Sequence, residues 1–305
     1  MSSAPTPIDQ ENPLKGLFRK PKLNIGLPSR GKWYPAGTLE LNSEGKVSIY
    51  ALTATDDIKL KTGDPTLTGK SIYDVIQSCC PAIKDASIIP HIDMETLLLA
   101  IKVASYGETL EFVVSVPNTR LTRTIKMNSN DLFAQMNNIE WDDVLEVKDN
   151  EKTSIAKIRP VSMAEVFTAT RALMAQNKML TSAIGGTEIV DEEVFSSATA
   201  IIANSSIDMV CDSIIELVIQ RASDDSIICK LDSSLPDDKQ RIKHILKSCD
   251  VEYYNVFKDH IESQKEKYVF KSGIMQSTEQ EKMAGAPEEW EATFTLIGSN
   301  FNTEK

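Results

Sequence analysis

The chain has 305 residues, 41% hydrophobic and 25% charged, an ordinary globular composition with room for roughly two domains of ~150 residues each. Its formal net charge of −11 argues against nucleic-acid partners, because general duplex binding needs a positive surface to displace counterions from phosphates. No run of 18 or more apolar residues offers a membrane span, and Met1-Ser2-Ser3-Ala4-Pro5-Thr6-Pro7 lacks the basic-then-apolar pattern of a secretory signal.

Residues 1–32 read as an extended basic arm. Pro5, Pro7, Pro13, Pro21 and Pro28 disfavour helix, and Leu14, Leu17 and Phe18 offer at most one anchoring turn. The arm concentrates Lys15, Arg19, Lys20, Lys22, Arg30 and Lys32 against Asp9 and Glu11, on an otherwise acidic chain. Such an arm either docks on an acidic neighbour or stays a solvated tail. Trp33 and Tyr34 follow it, as interface anchors or as cover for the edge of the first hairpin.

A hairpin is expected from Thr38–Leu41 and Val47–Tyr50, with Asn42-Ser43-Glu44-Gly45 as the turn. A helix over about 70–80 buries Ile72, Ile76, Cys79 and Cys80 and stops at Pro81. Asp93 suits the N-cap of the next helix, whose stripe is Met94, Leu97, Leu98 and Ile101 and whose end is Gly107. Strands at 110–116 and 121–127 flank the turn Pro117-Asn118-Thr119-Arg120, and 128–158 form an acidic boundary with one further strand at Ile155–Ile158. Beyond Pro160 the pattern turns helical. Ser162-Met163-Ala164-Glu165 fits a capping box, with Val161 and Val166 placed as its staple, and Gly185-Gly186 breaks that helix. The stripe Ile207, Val210, Cys211, Ile214, Leu217, Val218 reads as an amphipathic helix, packed in the core or facing another subunit. Pro236 opens a helix carrying Ile242, Ile245, Leu246 and Cys249, and Asp250 caps one carrying Tyr254, Phe257 and Ile261. Tyr268–Phe270 and Thr293–Ile297 pair as terminal strands.

The expected fold is therefore α+β: a basic arm (1–32), a small strand-helix-helix-strand domain (33–158), and a mainly α-helical region (159–305) with short terminal strands.

No catalytic, cofactor or metal constellation emerges. Gly63 to Ser71 suggests a phosphate loop, but five residues separate Gly63 from Gly69 where four are required, and no buried strand precedes it. His91, His244 and His260 lack partners at metal-ligand spacing. The five cysteines, Cys79, Cys80, Cys211, Cys229 and Cys249, are scattered and read as reduced thiols. Acidic pairs such as Asp56-Asp57 and Asp142-Asp143 read as solvated charge or helix N-terminal residues, with Asp56-Asp57 expected to cap its turn and contact the basic entry strand.

Taken together, Leu27-Pro28-Ser29 with Gly31 and Tyr34, Asp57 with Lys59-Leu60, Gly69-Lys70-Ser71-Ile72, and Asp93 through Tyr106-Gly107 resemble the T-even-type tailed-phage baseplate hub assembly proteins. The likeness covers about 27–125, with a fainter echo from Glu252 to Phe270, and leaves 160–250 uncovered. Many proteins that look like this carry a cysteine knuckle where this chain has Pro117–Arg120, so no family metal site is implied. The resemblance implies a phage protein of the host cytoplasm, or of the virion tail, that binds other baseplate hub proteins without catalysis. It acts as a chaperone-like factor or as a retained hub component, and homo-oligomerisation is left open. Its partner contacts are expected at Lys15, Arg19, Lys20, Lys22, Arg30, Trp33 and Tyr34.

Overall fold

The computed structural model describes residues 19–62, 68–149, 151–184 and 205–296. Strand β1 (Pro21–Ile25) pairs antiparallel with β2 (Val47–Tyr50), setting Leu23 against Ile49 and Ile25 against Val47. Pro21 takes the first position of β1, where a missing N–H costs little. Helices α1 (Ala54–Thr62) and α2 (Thr68–Cys79) lead through a short 3-10 turn at Ala86–Ile88 into α3 (His91–Tyr106). Gly107, at φ 99°, ends α3 with its N–H on the Val103 carbonyl.

The hairpin β3 (Thr109–Ser115) and β4 (Thr122–Asn128) follows, then α4 (Ser129–Asn137). Next come β5 (Val144–Lys148), β6 (Lys152–Ile158), α5 (Met163–Ile184) and α6 over 205–213. The chain continues through β7 (Ile214–Arg221), β8 (Ile227–Asp232), α7 (Pro236–Ser248) and α8 (Val251–Glu266). It closes with β9 (Phe270–Gln276), α9 (Glu279–Met283) and β10 (Glu289–Phe294). Among the described residues three sheets have two strands each, and the fourth runs β5-β6-β7-β8; all of these pairings are antiparallel.

One contiguous core runs from Ile25 to Leu296. Its axis is α3, where every residue from Ile92 to Lys102 is buried. A surface helix shows water one polar face; α3 shows none over these turns because other elements surround it. The sequence signal is the unbroken run Leu97-Leu98-Leu99-Ala100-Ile101, which the four-residue stripe understated.

The mainly helical C-terminal region is not observed. The fold is mixed, with strands throughout its second half. Ile214 to Val218, expected as the second half of an amphipathic helix, lies in strand β7, and α6 stops at the residue before it. The run Ile214-Ile215-Glu216-Leu217-Val218-Ile219 is rich in β-branched residues, and β6 and β8 pair with it on both sides. The sheet thus joins residues on either side of position 158. The first hairpin is also re-paired: β2 meets β1, and the segment Thr38–Leu41 makes only an isolated bridge, Leu39 to Ile83. Gly185-Gly186 lies outside the described residues.

Candidate functional site

The Leu-Pro-Ser segment forms a tight turn on α3. The Arg30 N–H reaches the Leu27 carbonyl at 2.9 Å and the Lys32 N–H reaches that of Ser29 at 3.0 Å. Gly31 sits at φ 79°, and Arg30 and Trp33 take left-handed values of 53° and 71°. Side chains at such φ values hold only where surrounding contacts over-determine them.

Asp93 supplies those contacts. Its carboxylate accepts the Ser29 N–H at 2.8 Å, the Ser29 hydroxyl, and the Tyr34 hydroxyl at 3.0 Å. Asp93 is fully buried inside the first turn of α3, rather than standing at the N-cap, which is Pro90. Burial pushes its carboxyl up to about 6, against the pull of the Ser29 and Tyr34 hydrogen bonds. Burial and the neighbouring Asp93 charge raise the Tyr34 phenol well above its ordinary value. Two residues on, Glu95 accepts the Leu296 N–H at 2.6 Å. The first turns of α3 therefore hold segments from both ends of the described chain.

An aromatic cluster lies beside this clasp. Trp33, His91 and Tyr268 surround Trp141 at ring-centroid distances of 6.3, 5.8 and 6.4 Å. The Trp141 indole N–H donates to the Ile158 carbonyl at 3.0 Å. Burial, with Lys265 nearby, lowers His91 to about 3, so its imidazole is neutral at physiological pH. Charge follows the same path: Arg30 meets Glu140 at 3.3 Å and Lys32 meets Asp143 at 2.6 Å.

The other motif residues also meet one another. Thr53 and Asp56 cap α1 reciprocally, through Thr53 N–H to the carboxylate at 2.9 Å and Asp56 N–H to Thr53 Oγ1 at 3.1 Å. Arg19 lies 3.5 Å from Asp56 and donates to the carbonyls of Ala51 and Ser78. The Tyr106 hydroxyl donates to Asp57 at 3.2 Å, tying the end of α3 to α1. At Gly69 a Cβ would fall 2.8 Å from the Phe167 ring, whose edge-to-face partner is Tyr73 at 5.2 Å. This glycine lets α5 approach α2.

Of the expected partner-binding residues, Lys15 lies outside the described residues. Arg19, Arg30, Trp33 and Tyr34 contact the body of their own chain, through the bonds above. Lys20 and Lys22 are exposed at β1. Sequence reasoning missed Trp141 and His91, whose contacts with the turn span long stretches of chain that no local pattern encodes.

An open groove of about 530 Å³ lies between the sheet and the junction of α7 with α8, lined by Val147, Ser154, Ile219, Cys249, Tyr253 and Val256. Burial raises the Cys249 thiol. Among the described residues no three His, Cys, Asp or Glu side chains gather to hold a metal ion. No described helix is long and apolar enough to cross a membrane.

A family model described as T4 bacteriophage base plate protein matches residues 27–272, from the Leu-Pro-Ser turn into β9. No curated protein and no solved structure matches the chain. The match takes in the region between 160 and 250 that the motif resemblance left uncovered.

Proposed function

The chain belongs to the T4 bacteriophage base plate protein family, and from that premise we propose that it assists assembly of the baseplate hub by binding hub proteins, without catalysis. Family membership supports a phage baseplate role and contact with other baseplate proteins. The observation that favours binding over chemistry is the use made of the perturbed groups. Asp93 and His91, whose proton affinities depart far from ordinary values, sit among core contacts that fasten the Leu-Pro-Ser turn and Trp141. Perturbed groups in an open cleft would favour a reaction instead.

In this reading the protein is made in the host cytoplasm and covers assembly surfaces of the hub until the next subunit displaces it. Its acidic charge of −11 keeps the free form soluble. A retained structural subunit is the second reading, and the same family membership favours it. Tagged chain from infected cells is expected to co-purify with hub subunits. Mass spectrometry of finished tails separates the readings, since an assembly factor falls far below stoichiometric and a structural subunit does not. Absence of the chain from hub intermediates sinks the proposal.

The expected role of the basic segment is tested by the joint substitution Lys15→Ala, Lys20→Ala and Lys22→Ala, since Lys20 and Lys22 are exposed. A deletion to residue 32 also removes β1 with the buried Ile25 and Leu27, and so reports on folding.

A further inference from the structure

The four-stranded sheet ends in two strands, β5 and β8, that have no further strand neighbour among the described residues, and these edges differ. On β5, Glu146 and Lys148 pair with each other at 3.2 Å, and charge along an edge discourages strand addition. β8 begins with Ile227 and Ile228, 63% and 51% exposed, and carries no charge before Lys230. That lysine is held at 2.9 Å by Glu216 of β7. A register shift opposite Ile219 and Gln220 interrupts the alternation of β8, so both isoleucines reach solvent.

The Ser233 N–H bonds to the Ile215 carbonyl, so by the two-residue period the backbone groups of Asp232 and Lys230 face away from β7. The Asp232 N–H is taken by Asp238 at 3.1 Å, which closes the ladder there. The open edge thus runs from Ile227 to Lys230. Both of its ends are acidic, with Asp224 and Asp225 before it and Asp232, Asp237 and Asp238 after it. Arg221 lies 3.6 Å from Asp224 and Arg241 lies 3.7 Å from Asp238, while Asp225 and Asp237 remain exposed. A second copy pairing antiparallel would oppose Asp225 of one chain to the Asp237 end of the other. Like charges at both ends disfavour that arrangement.

We propose that the open edge of β8 docks an extended segment of another polypeptide, apolar in its middle and basic at both ends. Main-chain hydrogen bonds supply the attachment, Ile227 and Ile228 the apolar contact, and Asp225 and Asp237 the selection by charge. This rests on the reading that the protein works by binding.

The probe is a synthetic peptide with two lysines at each end and alternating Val and Thr between them, added to the full-length chain. Binding is followed by fluorescence anisotropy and by amide exchange. The expected result is slowed exchange at Lys230, and binding at least ten-fold weaker for Ile228→Lys, for a glutamate-ended peptide, and for one with alternate amides N-methylated. Ile228 is exposed, so an unchanged melting curve shows that the variant stays folded. The proposal is overturned by absence of binding at millimolar peptide, by equal binding of the N-methylated peptide, by equal binding of Ile228→Lys, or by a self-associated form that this substitution dissociates. Hub co-purification is read separately, so failure of the edge and failure of the hub role remain distinct.

Discussion

Replacing Asp93 by Asn keeps the shape of the clasp and removes its titration. The amide oxygen still accepts the Ser29 N–H, while the hydroxyls of Ser29 and Tyr34 turn to accept from the new NH₂. In the native chain burial raises the carboxyl from 3.8 to about 6. A raised folded-state value means that folding takes up a proton, so the group's stabilising contribution is complete below pH 3.8 and is lost as pH rises through 6. At 1.36 kcal/mol per tenfold change in proton affinity, that loss is about 2–3 kcal/mol between pH 4 and 7. His91 acts in the opposite sense: lowered from 6.5 to about 3, it withdraws stability as pH falls below 6.5. The two groups therefore offset each other across much of the acid range, and the absolute pH profile hides both. The difference between native and Asp93→Asn chains isolates the carboxylate. Urea unfolding followed by circular dichroism at half-unit steps from pH 4 to 7 is expected to show the substitution becoming progressively more favourable, by about 2–3 kcal/mol over the range. A flat difference, or one of opposite slope, refutes the assignment of a buried, proton-hungry carboxylate.

Gly69→Ala is expected to destabilise by about 1 kcal/mol, the balance of overpacking against Phe167 and a gain in helix propensity; in a Phe167→Ala background it turns stabilising, as thermal melts of the double-mutant cycle would show. Trp141→Phe removes the donor to the Ile158 carbonyl and is expected to cost about 1–3 kcal/mol in urea unfolding. Removing residues 1–32 strips Ile25, Leu27 and the Ser29 contacts to Asp93, and is expected to lower the melting temperature sharply.

Local signals reached far into this fold. The β3–β4 hairpin, the stop at Gly107, the capping box at Ser162 and Glu165, and Pro236 at the start of α7 all stand within a residue or two of their sequence positions. The terminal strands pair, with Phe270 opposite Phe294, but β9 begins only at the last residue of Tyr268–Phe270 and β10 ends at the second residue of Thr293–Ile297. What failed was set by distant partners. Ile207 to Val218 carries a helical spacing of apolar residues, yet its second half has β-branched side chains that two neighbouring strands capture. Five prolines made 1–32 read as an extended arm with no partner specified; among its described residues, Pro21–Ile25 pairs with β2 and Ser29 is held by Asp93. Asp93 itself has a sequence position that suits a cap. Its actual partners, Ser29 and Tyr34, lie 64 and 59 residues away, a distance that motif spacing registers only when a family is recognised.

The chain is proposed to act in baseplate assembly through its surfaces. Quantitative mass spectrometry of hub intermediates and finished tails from the same infection tests that most directly. The proposed role predicts near-stoichiometric chain in the intermediates and far less in the tails; a chain missing from every baseplate intermediate contradicts it.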